Sequence, residues 1–504
     1  MQTLKVACHQ CFCVLRKWQS PIFIGSKASA ETQLVRTSPI SLISHPASQV
    51  HSGERSFHPP ARLSQSRPMS SATSSSELSE QESGGQMDRS RSSVDHSPGS
   101  AWAEEASLYV HWPYCQRRCT YCNFNKYIAR NVDHVRMREC LVAEAKTLIS
   151  LSGVRRITSV FFGGGTPSLA LPQTLEAVLE AVSAVVEVPS QTEVSMEGNP
   201  TSVGLSKLRD FKAAGINRVS LGIQALNDKD LKVLGRDHTA AESVQCIKEA
   251  RRLFPGSTSV DLIFGRPAQT PRSWREELRE VLAMCDDHVS LYQLTLERGT
   301  ALFKMHERGL LDIPDDDASA EMYNSAVEML AEAGLERYEV SNFAQSGAEC
   351  RHNQTYWQGG QYIGIGPGAH GRFVVAHPSE GDGRVPLENA TSASVKDGVQ
   401  DLPDDAVDVG LREARIQTLE PEPWMYEVQK YGHGTRKRVR QKVFDVLQEL
   451  LVTSMRTRDG LRQDRWKEIS AGRSLLHDVF QQKDLSALSE AGLINIDNEG
   501  LRAT

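Results

Sequence analysis

From residue 107 onward, short apolar segments rich in β-branched residues alternate with segments of helical periodicity, and this order constrains the fold most strongly. Strands that alternate with helices form parallel sheets with right-handed crossovers. Six such units suit either a doubly wound sheet or a partial barrel. The predicted strands are residues 107–111, 157–162, 193–197, 218–223, 257–263 and 288–295, and the predicted helices lie near 132–150, 173–185, 203–214, 240–253 and 273–284.

Glycines and polar residues stand at or near the carboxyl ends of successive predicted strands. In a βα barrel these strand ends converge on one face, where the chemistry of such folds is found. We therefore predict an α/β fold, a partial (βα)6 barrel with one site at its mouth. The residues are the loop Cys115–Cys122 after the first strand, the run Gly163–Pro167 after the second, Glu197 and Gln224 closing the third and fourth, and Asp261 on the fifth.

Three cysteines, Cys115, Cys119 and Cys122, share the loop after the first strand in the spacing C-x-x-x-C-x-x-C. A cubane iron–sulfur cluster normally takes four thiolates, so three leave one iron open to another ligand. That arrangement is typical of a reactive cluster rather than of an electron carrier. A zinc site with His111 as the fourth ligand is the alternative, because short Cys/His spacings also suit zinc. Unligated thiols are the third interpretation.

Two glycine-rich segments invite comparison with phosphate-binding loops. The run FFGGGTPS lets backbone approach a ligand closely, but it lacks the lysine of a phosphate loop. Gly366, Gly368 and Gly371 fit the pattern G-x-G-x-x-G, yet Pro367 interrupts it and no βαβ unit surrounds it. Neither segment therefore predicts a dinucleotide site.

The composition excludes several functional classes. A chain of 504 residues allows two or three domains, and its net charge of −6 argues against a general nucleic-acid surface. No apolar run reaches the roughly 18 to 20 residues of a membrane span. The ten cysteines show no paired framework, which fits a reducing compartment. One basic run, predicted to be the solvent-facing side of a helix, contains Arg436, Lys437, Arg438, Arg440 and Lys442.

The first 76 residues differ from the rest of the chain. They carry eight Lys or Arg against two acids, Glu31 and Glu54, together with many serines. This composition is typical of a mitochondrial presequence, with a disordered amino terminus as the alternative. Residues 70–100 have the low complexity of a linker. We expect the folded protein to begin near Ala101.

The cysteine loop and the GGGTP run together resemble the motifs of radical S-adenosylmethionine proteins. The segments SLYVHWPYC, FFGGGTPS, SMEGNP, RVSLGIQALN, LGRDH and VDLIFGRP follow the order of the subfamily around oxygen-independent coproporphyrinogen III oxidase, and the similarity extends from about residue 107 to 500. The resemblance implies a 4Fe-4S cluster on Cys115, Cys119 and Cys122. It also implies an S-adenosylmethionine pocket lined by Tyr109, Gly164, Gly165, Thr166, Glu197, Gln224, Arg236 and Asp261.

Three charged residues of the pocket that the resemblance implies have a chemistry that suits this ligand. Glu197 would pair with the ammonium of S-adenosylmethionine, and Arg236 would hold its carboxylate. Asp261 would accept hydrogen bonds from the ribose hydroxyls. The glycine backbone would meet the methionine end.

Two branches of this subfamily share these motifs. The oxidase branch typically has a fourth cysteine two residues after the third, where this chain has Phe124. The chain also carries H-N-x-x-Y-W at 352–357, and in both respects it resembles the HemW-type haem chaperones and their mitochondrial animal relatives. This resemblance implies haem ligation by His352, with Cys350 as an alternative or second ligand. A purely structural interpretation is a turn that closes the barrel mouth, capped by Asn353.

The resemblance implies a mitochondrial matrix protein that binds haem and delivers it to acceptor proteins of the respiratory chain. It allows a membrane-associated acceptor and a homodimer, and it implies no nucleic-acid partner. The division it suggests is a presequence and linker at 1–100, a barrel at 101–335, a haem-motif extension at 336–402 and a mainly helical domain at 403–504, ending in a helix and hairpin. The alternatives are a coproporphyrinogen III oxidase or other radical porphyrin enzyme, a radical enzyme acting on tRNA, and a plain iron–sulfur protein.

Overall fold

The structure of the protein is a computed structural model, and it describes residues 104–285, 287–377, 383–389, 412–470, 472–475 and 482–504. The predicted presequence and linker lie outside these residues. The predicted boundary between residues 402 and 403 does so as well.

Six strands alternate with helices in the first half of the described chain, as the sequence predicts, and one short helix between β6 and β7 was not predicted. The strands are β1 Glu105–Trp112, β4 Arg156–Gly164, β5 Glu193–Gly198, β6 Arg218–Gln224, β7 Thr258–Phe264 and β8 His288–Gln293, with short strands β2 Tyr114–Cys115 and β3 Tyr127–Ile128 after β1. The helices are α1 His134–Ser152, α2 Pro172–Ser183, α3 Leu205–Ala213, α4 Asp228–Val233, α5 Ala240–Leu253 and α6 Pro271–Leu282.

Local sequence signals fix the ends of several of these helices. Thr239 precedes α5 and accepts a hydrogen bond from the Glu242 backbone N–H, while the Glu242 carboxylate accepts one from the Thr239 N–H. This reciprocal pair satisfies two donors that a helix start leaves unpaired. At the carboxyl end of α1, Gly153 adopts a φ of +68°, a conformation that glycine tolerates and that ends the helix.

The six strands lie next to one another in chain order and run parallel. A doubly wound sheet reverses its strand order at a switch point, whereas here each strand is added on the same side of the one before. The prediction of a singly wound, partial barrel is therefore confirmed. Among the described residues the sheet stays open, with 13 strands and the edges β13 Leu387–Asn389 and β9 Glu336–Glu339.

Strands from the later part of the chain extend this sheet on both sides. Beyond β8 lie β10 Asn342–Ala344 and β9, both antiparallel to their neighbours. Beyond β1 lie β11 Tyr362–Ile365, β12 His370–Val374, β14 Arg412–Gln417, β15 Thr435–Arg440 and then β13. The helices of this region are α7 Ala301–Glu307, α8 Asp316–Glu332, α9 Arg351–Trp357 and α10 Pro421–Tyr431.

The two faces of the barrel strands differ sharply in polarity, because successive side chains of a strand point to opposite sides. One face is apolar and packs against the helices, where Trp274 and Phe211 are fully buried. The other face is polar, unlike the interior of a filled barrel, where branched apolar side chains dominate. The apolar set includes Leu108, Val110, Val160, Phe162, Val194, Met196, Val219, Leu221, Val260, Leu262, Val289 and Leu291. The polar set includes Ser107, Tyr109, Ser159, Ser195, Glu197, Arg218, Ser220, Ser259, Asp261, His288 and Ser290.

The carboxyl-terminal segment has a hydrophobic core of its own. Its helices are α11 Val443–Ser454, α12 Gln463–Ile469 and α13 Gln482–Glu490, and its antiparallel sheet consists of β16 Leu461–Arg462, β17 Ile494–Ile496 and β18 Gly500–Ala503. The predicted helix and hairpin at the end of the chain correspond to α13, β17 and β18. The core residues include Val446, Leu450, Leu461, Trp466, Ile469, Leu485, Ile494 and Leu501.

The basic run was expected on a helix, and that prediction is wrong. Thr435–Arg440 form strand β15, which pairs with β14. Arg438 is buried and its Nη2 lies 2.7 Å from Oε1 of Glu413 on the neighbouring strand. Consecutive basic residues hide the period of two that marks a strand, and the pairing acid lies 25 residues away in the sequence.

The glycines at 366–371 form a turn between β11 and the antiparallel strand β12, and no helix follows. Gly366 has a φ of +93°, and its N–H donates to the buried carboxylate of Glu144 on α1 at 2.7 Å. The same carboxylate accepts hydrogen bonds from the Gly434 N–H at 2.7 Å and from the Trp424 indole. These glycines therefore serve a structural junction, in agreement with the exclusion of a dinucleotide site.

No helix in the described residues is long and apolar enough to cross a membrane.

Candidate functional site

The cysteine loop lies beyond the carboxyl end of β1 and is tied to the loop after α4. The Thr120 N–H donates to the carbonyl of Leu234 at 3.0 Å, and its hydroxyl donates to the carbonyl of Val233 at 2.7 Å. The carbonyl of Thr120 accepts from the N–H of Leu302 at 2.9 Å. These bonds hold the middle of the motif in place, and they leave the thiols on either side of it available as ligands.

Two of the three thiols have a hydrogen-bond donor beside the sulfur. Cys115 is buried, which raises its pKa, while Cys119 and Cys122 are partly exposed. The Thr166 hydroxyl donates to Sγ of Cys115 at 3.3 Å, and Nη1 of Arg236 donates to Sγ of Cys119 at 3.4 Å. Such donors stabilise the charged form of sulfur that binds metals.

Both ring nitrogens of His111 are already occupied. Nδ1 lies 3.0 Å from the Tyr109 hydroxyl, and Nε2 lies 2.9 Å from the carbonyl of Asn125. We assign the proton to Nε2, because a carbonyl can only accept. Burial lowers the pKa of His111 to about 4, so the ring is neutral. His111 is therefore not placed as the fourth ligand of a zinc ion.

The donor set fits a cluster better than a single ion. In the part of the chain that the structure describes, no three His, Cys, Asp or Glu side chains converge closely enough to hold one metal ion. In a cubane each thiolate binds a different iron, which spaces the thiolates more widely. The three thiols share one short loop, in which the Cys122 N–H donates to the carbonyl of Cys119 at 3.5 Å. Three such thiols match a cluster with one open iron.

The GGGTP run brings the end of β4 against the end of β1. A Cβ on Gly164 would lie 2.6 Å from the His111 ring, and one on Gly165 would lie 2.8 Å from the carbonyl carbon of Pro113. Gly164 also has a φ of +112°. Its N–H donates to Oε2 of Glu197 at 3.1 Å, and the Gly165 N–H donates to the carbonyl of Trp112 at 2.7 Å. Close backbone packing therefore requires these glycines.

Two partly buried carboxylates, Glu197 and Asp261, face the barrel interior. Burial, and the proximity of Asp261, raise the pKa of Glu197 to about 8. Burial also raises the pKa of Asp261, although hydroxyl donors from Ser220, Ser259 and Ser290 oppose this effect. The Ser220 hydroxyl lies 2.9 Å from Oδ1 of Asp261. A carboxyl group with a raised pKa and few hydrogen-bond donors around it gains much from a bound cation, because the cation stabilises its ionised form.

Arg236 links the cysteine loop to the ends of β5 and β6. Its Nη2 donates to Oδ1 of Asn199 and to the carbonyl of Gly222, each at 2.8 Å. Gln224 has a φ of +70°, and its side-chain nitrogen lies 3.0 Å from the position of a Cβ on Gly222. Sequence reasoning overlooked Asn199, although it follows Glu197 by only two residues in the SMEGNP segment.

A polar cavity of about 190 Å³ occupies the interior of the barrel. It brings together four of the predicted site residues, Tyr109, Glu197, Asp261 and His352, and it is also lined by Cys350, the alternative haem ligand. The three cysteines of the loop after β1, the glycines, Thr166, Gln224 and Arg236 lie outside its lining. The alternation of polar residues along the strands was the signal for the lining residues that sequence reasoning missed. These are Ser195, Arg218, Ser220, Ser259, His288, Ser290, Tyr292 and Asn342.

His352 lies at the amino ends of the barrel strands, opposite the cysteine loop. Its Nδ1 lies 3.4 Å from the hydroxyl of Ser159 near the start of β4, and its Nε2 lies 3.0 Å from the hydroxyl of Tyr356. Its ring stacks on Phe161 with 4.9 Å between centroids. Burial lowers the pKa of His352 to about 3, which leaves a neutral imidazole.

The H-N-x-x-Y-W segment is a helix, α9, rather than a turn, and it packs at the amino end of the barrel rather than at its mouth. Cys350 occupies the N-cap position. Asn353 therefore does not cap the segment, and its amide instead donates to the Tyr338 hydroxyl at 3.4 Å. Burial raises the pKa of the Cys350 thiol to about 12, and this thiol donates to Glu193. Tyr356 lines the cavity, whereas Trp357 packs against Arg456.

Comparison with known proteins agrees with this geometry. Residues 109–281 match the family model of the radical SAM superfamily. Radical S-adenosyl methionine domain-containing protein 1, mitochondrial, from Bos taurus is 49% identical over 407 residues, covering 81% of this chain and 85% of that protein. The chain belongs to the radical SAM superfamily. Membership of the superfamily implies a 4Fe-4S cluster and S-adenosylmethionine, and the three thiols on the loop after β1 fit the cluster.

Within the radical SAM superfamily, the predicted proximity to haem chaperones is confirmed. Heme chaperone HemW from Escherichia coli is 36% identical over 280 residues, covering 55% of this chain and 72% of that protein. The solved structure of coproporphyrinogen III oxidase (HemN) from Escherichia coli is similar with a TM-score of 0.61 at 18% identity, covering 80% of this chain and 87% of that one. At this identity the likeness to HemN concerns the fold.

Proposed function

We propose that this radical SAM protein is a mitochondrial haem-binding chaperone, which carries a 4Fe-4S cluster and S-adenosylmethionine and delivers haem to acceptor proteins. The observation that supports this most strongly is the interior cavity, which joins Glu197 and Asp261 to His352 of the H-N-x-x-Y-W helix. A protein that used S-adenosylmethionine alone would not need a neutral imidazole at the opposite end of the same cavity. The relationship to HemW and to the mitochondrial relatives supports the same function.

Cys115, Cys119 and Cys122 would hold the cluster, and a reduced cluster would supply the electron that cleaves S-adenosylmethionine. The protein's own groups would orient this ligand. Glu197 would bind the ammonium group, since a partly buried carboxyl with a pKa of about 8 ionises readily beside a cation. Arg236 would bind the carboxylate, Asp261 would accept the ribose hydroxyls, and Tyr109, Gly164, Gly165, Thr166 and Gln224 would complete the pocket.

His352 would ligate the haem iron. Its neutral imidazole is the form that binds iron, but both nitrogens are hydrogen-bonded, to Ser159 and Tyr356. The cavity volume of about 190 Å³ is also below the roughly 300 Å³ at which pockets for drug-sized ligands begin. Haem binding therefore requires α9 to move away from β4, which breaks the contact of Nδ1 with Ser159 and makes that nitrogen available to the iron.

The alternative function is an oxygen-independent coproporphyrinogen III oxidase, which the common fold with HemN keeps open. The position two residues after Cys122 separates the two functions. It is occupied here by Phe124, whose surface is 65% exposed and which offers no thiol. This difference favours the chaperone.

The names of the relatives support a mitochondrial localisation. Three animal relatives are named as mitochondrial, and we infer the same compartment, specifically the matrix, for this chain. The haem acceptors would be proteins of the respiratory chain, including membrane-associated ones, and a homodimer would fit the same function. We propose no nucleic-acid partner, in keeping with the net charge of −6.

A transfer assay tests the proposed function against the alternative. The protein with its cluster, loaded with haem under anaerobic conditions, is mixed with a haem-free acceptor such as an apocytochrome b. A parallel sample receives reductant, S-adenosylmethionine and coproporphyrinogen III. The proposal predicts haem transfer and no vinyl product. Decarboxylated product at one or more turnovers per chain, without transfer, would establish the oxidase instead.

A further inference from the structure

A chain of hydrogen bonds leads from Asp261 across the polar face of the barrel. The Ser259 hydroxyl lies 3.3 Å from Oδ1 of Asp261 and 2.7 Å from Nδ1 of His288. Ser259 and His288 are only 2% and 3% exposed, so neither can exchange these partners for bulk water. The first half of this hydrogen-bond chain thus joins β7 to the start of β8.

The second half of the hydrogen-bond chain leads to α9, the helix that carries His352. Nε2 of His288 lies 2.9 Å from the hydroxyl of Tyr338 on β9. The Tyr338 oxygen accepts from the backbone N–H of Cys350 and from the side-chain amide of Asn353, each at 3.4 Å. Cys350 caps α9, and Asn353 is the residue after His352. The chain therefore ends on both sides of the candidate haem ligand.

The hydrogen bonds of this chain all point the same way. Tyr338 accepts from Cys350 and Asn353, so its own proton goes to Nε2 of His288. The imidazole is neutral, because burial holds its pKa well below 6.5, and it therefore carries its proton on Nδ1. Nδ1 donates to Ser259, and the Ser259 hydroxyl donates to the carboxylate of Asp261. Each group has one proton to give, so the direction at one end fixes the direction at the other.

A ligand hydroxyl bound to Asp261 would compete with Ser259 for the carboxylate. The Ser259 oxygen still accepts from Nδ1 of His288, but without a donating bond of its own it is a weaker acceptor, because hydrogen bonds in a chain polarise one another. A less polarised imidazole is in turn a weaker acceptor for the Tyr338 hydroxyl, and Tyr338 becomes a weaker acceptor for the two donors at α9. No proton changes its atom, and the two states of the hydrogen-bond chain differ in how strongly they hold α9.

We propose that Ser259, His288 and Tyr338 are positioning residues that couple the two ligand sites. A hydroxyl-bearing ligand at Asp261 displaces the Ser259 hydroxyl, and His288 and Tyr338 transmit the weakened hydrogen bonds to the helix that bears His352. This inference rests on the proposed function, which places S-adenosylmethionine at Asp261 and haem at His352. The opposing interpretation is a set of buried polar groups that merely satisfy one another.

The test measures each affinity in the presence of the other ligand. Haem is titrated into the full chain with its cluster, followed in the Soret band, with and without S-adenosylhomocysteine, which has the ribose hydroxyls but no sulfonium to cleave. We expect the haem Kd to change by about fivefold, and the affinity for S-adenosylhomocysteine to change by the same factor when haem is bound, because such coupling is reciprocal. Tyr338→Phe removes the hydroxyl, and we expect it to abolish the change while both ligands still bind.

Tyr323→Phe is the matched control. The Tyr323 hydroxyl also donates a hydrogen bond, to the carbonyl of Val340 at 2.8 Å, but Tyr323 does not belong to the hydrogen-bond chain from Asp261 to α9. The control should keep the fivefold coupling. Ser259→Ala breaks the chain at its other end and gives a second reading if Tyr338→Phe unfolds. Two ligands that bind independently in the wild type, or coupling that survives both chain variants, would overturn the inference. Failure of haem to bind at all would contradict the proposed function instead.

Discussion

The ring of Tyr109 lies against the ring of His352, with 6.0 Å between their centroids and 24° between their planes. The Tyr109 hydroxyl contacts Nδ1 of His111, and the His111 ring lies directly beneath Gly164. One aromatic side chain therefore contacts the residues of both ends of the barrel. A ligand at either end would meet Tyr109, which supports a single cavity with two chemical ends.

Removal of the cluster should leave haem binding largely intact. The three cysteines lie beyond the carboxyl ends of the strands, whereas His352 lies at their amino ends. We expect the triple variant Cys115→Ala, Cys119→Ala and Cys122→Ala to bind one haem per chain with a Kd within about threefold of the wild type, less than 1 kcal/mol. Soret titration measures it. A lost stoichiometry in this variant would show that the two sites are one.

Binding of S-adenosylmethionine should strengthen as the pH rises toward 8. In the free protein the pKa of Glu197 is about 8, so the group is mainly protonated below that pH. An ammonium partner lowers this pKa, and binding below pH 8 then releases a proton. We expect the affinity to rise about tenfold per pH unit from pH 6 to 8 and to level off above it.

Calorimetry in two buffers of different ionisation enthalpy measures the released proton. Glu197→Gln should remove the pH dependence, whereas Glu176→Gln, on the exposed side of α2, should keep it. An affinity that stays constant between pH 6 and 9 in the wild type would rule out this role of Glu197.

The buried carboxylate of Glu144 should be important for stability. It accepts hydrogen bonds from the N–H groups of Gly366 and Gly434 and from the Trp424 indole. Glutamine has one acceptor oxygen, and its amino group would face these donors, so Glu144→Gln should lower the free energy of unfolding by about 3 kcal/mol. Glu139→Gln, exposed on the same helix, should change it by less than about 0.5 kcal/mol. Urea unfolding compares the two variants, and equal effects would contradict the expected contribution of Glu144 to stability.

The glycine at position 165 should be necessary for cluster assembly. A Cβ there would lie 2.8 Å from the carbonyl carbon of Pro113, two residues before Cys115. Gly165→Ala must therefore shift the backbone that leads into the cysteine loop, and we expect a loss of roughly 2 kcal/mol together with a lower iron content after reconstitution. Gly204→Ala, with no atom within 4 Å of its Cβ position, is the control. Full iron content in Gly165→Ala would contradict this expectation.

Much of the barrel could be predicted from the sequence because its signals are local. Apolar residues alternate along the strands and recur with a different period in the helices, so the six strands and the five predicted helices appeared at nearly the observed residues. Gly164 and Gly165 also carry a local signal, since few residues other than glycine permit such close approach. The gathering of Glu197 and Asp261 in one cavity followed from the parallel direction of their strands.

The remaining features depend on contacts between distant segments. Strand β15 pairs with β14 and takes its partner Glu413 from there, which no local pattern reveals. The placement of His352 at the amino end of the barrel depends on Ser159, 193 residues earlier in the chain. Sequence motifs identify the type of such residues but not the end of the barrel at which they lie.

The most direct test of the haem chaperone is an anaerobic haem titration of the full chain, followed in the Soret band, beside His352→Ala. We expect saturation near one haem per chain in the wild type, with a band that is lost or shifted in the variant. Weak binding that does not saturate, and that is the same in both proteins, would contradict the function of a haem chaperone.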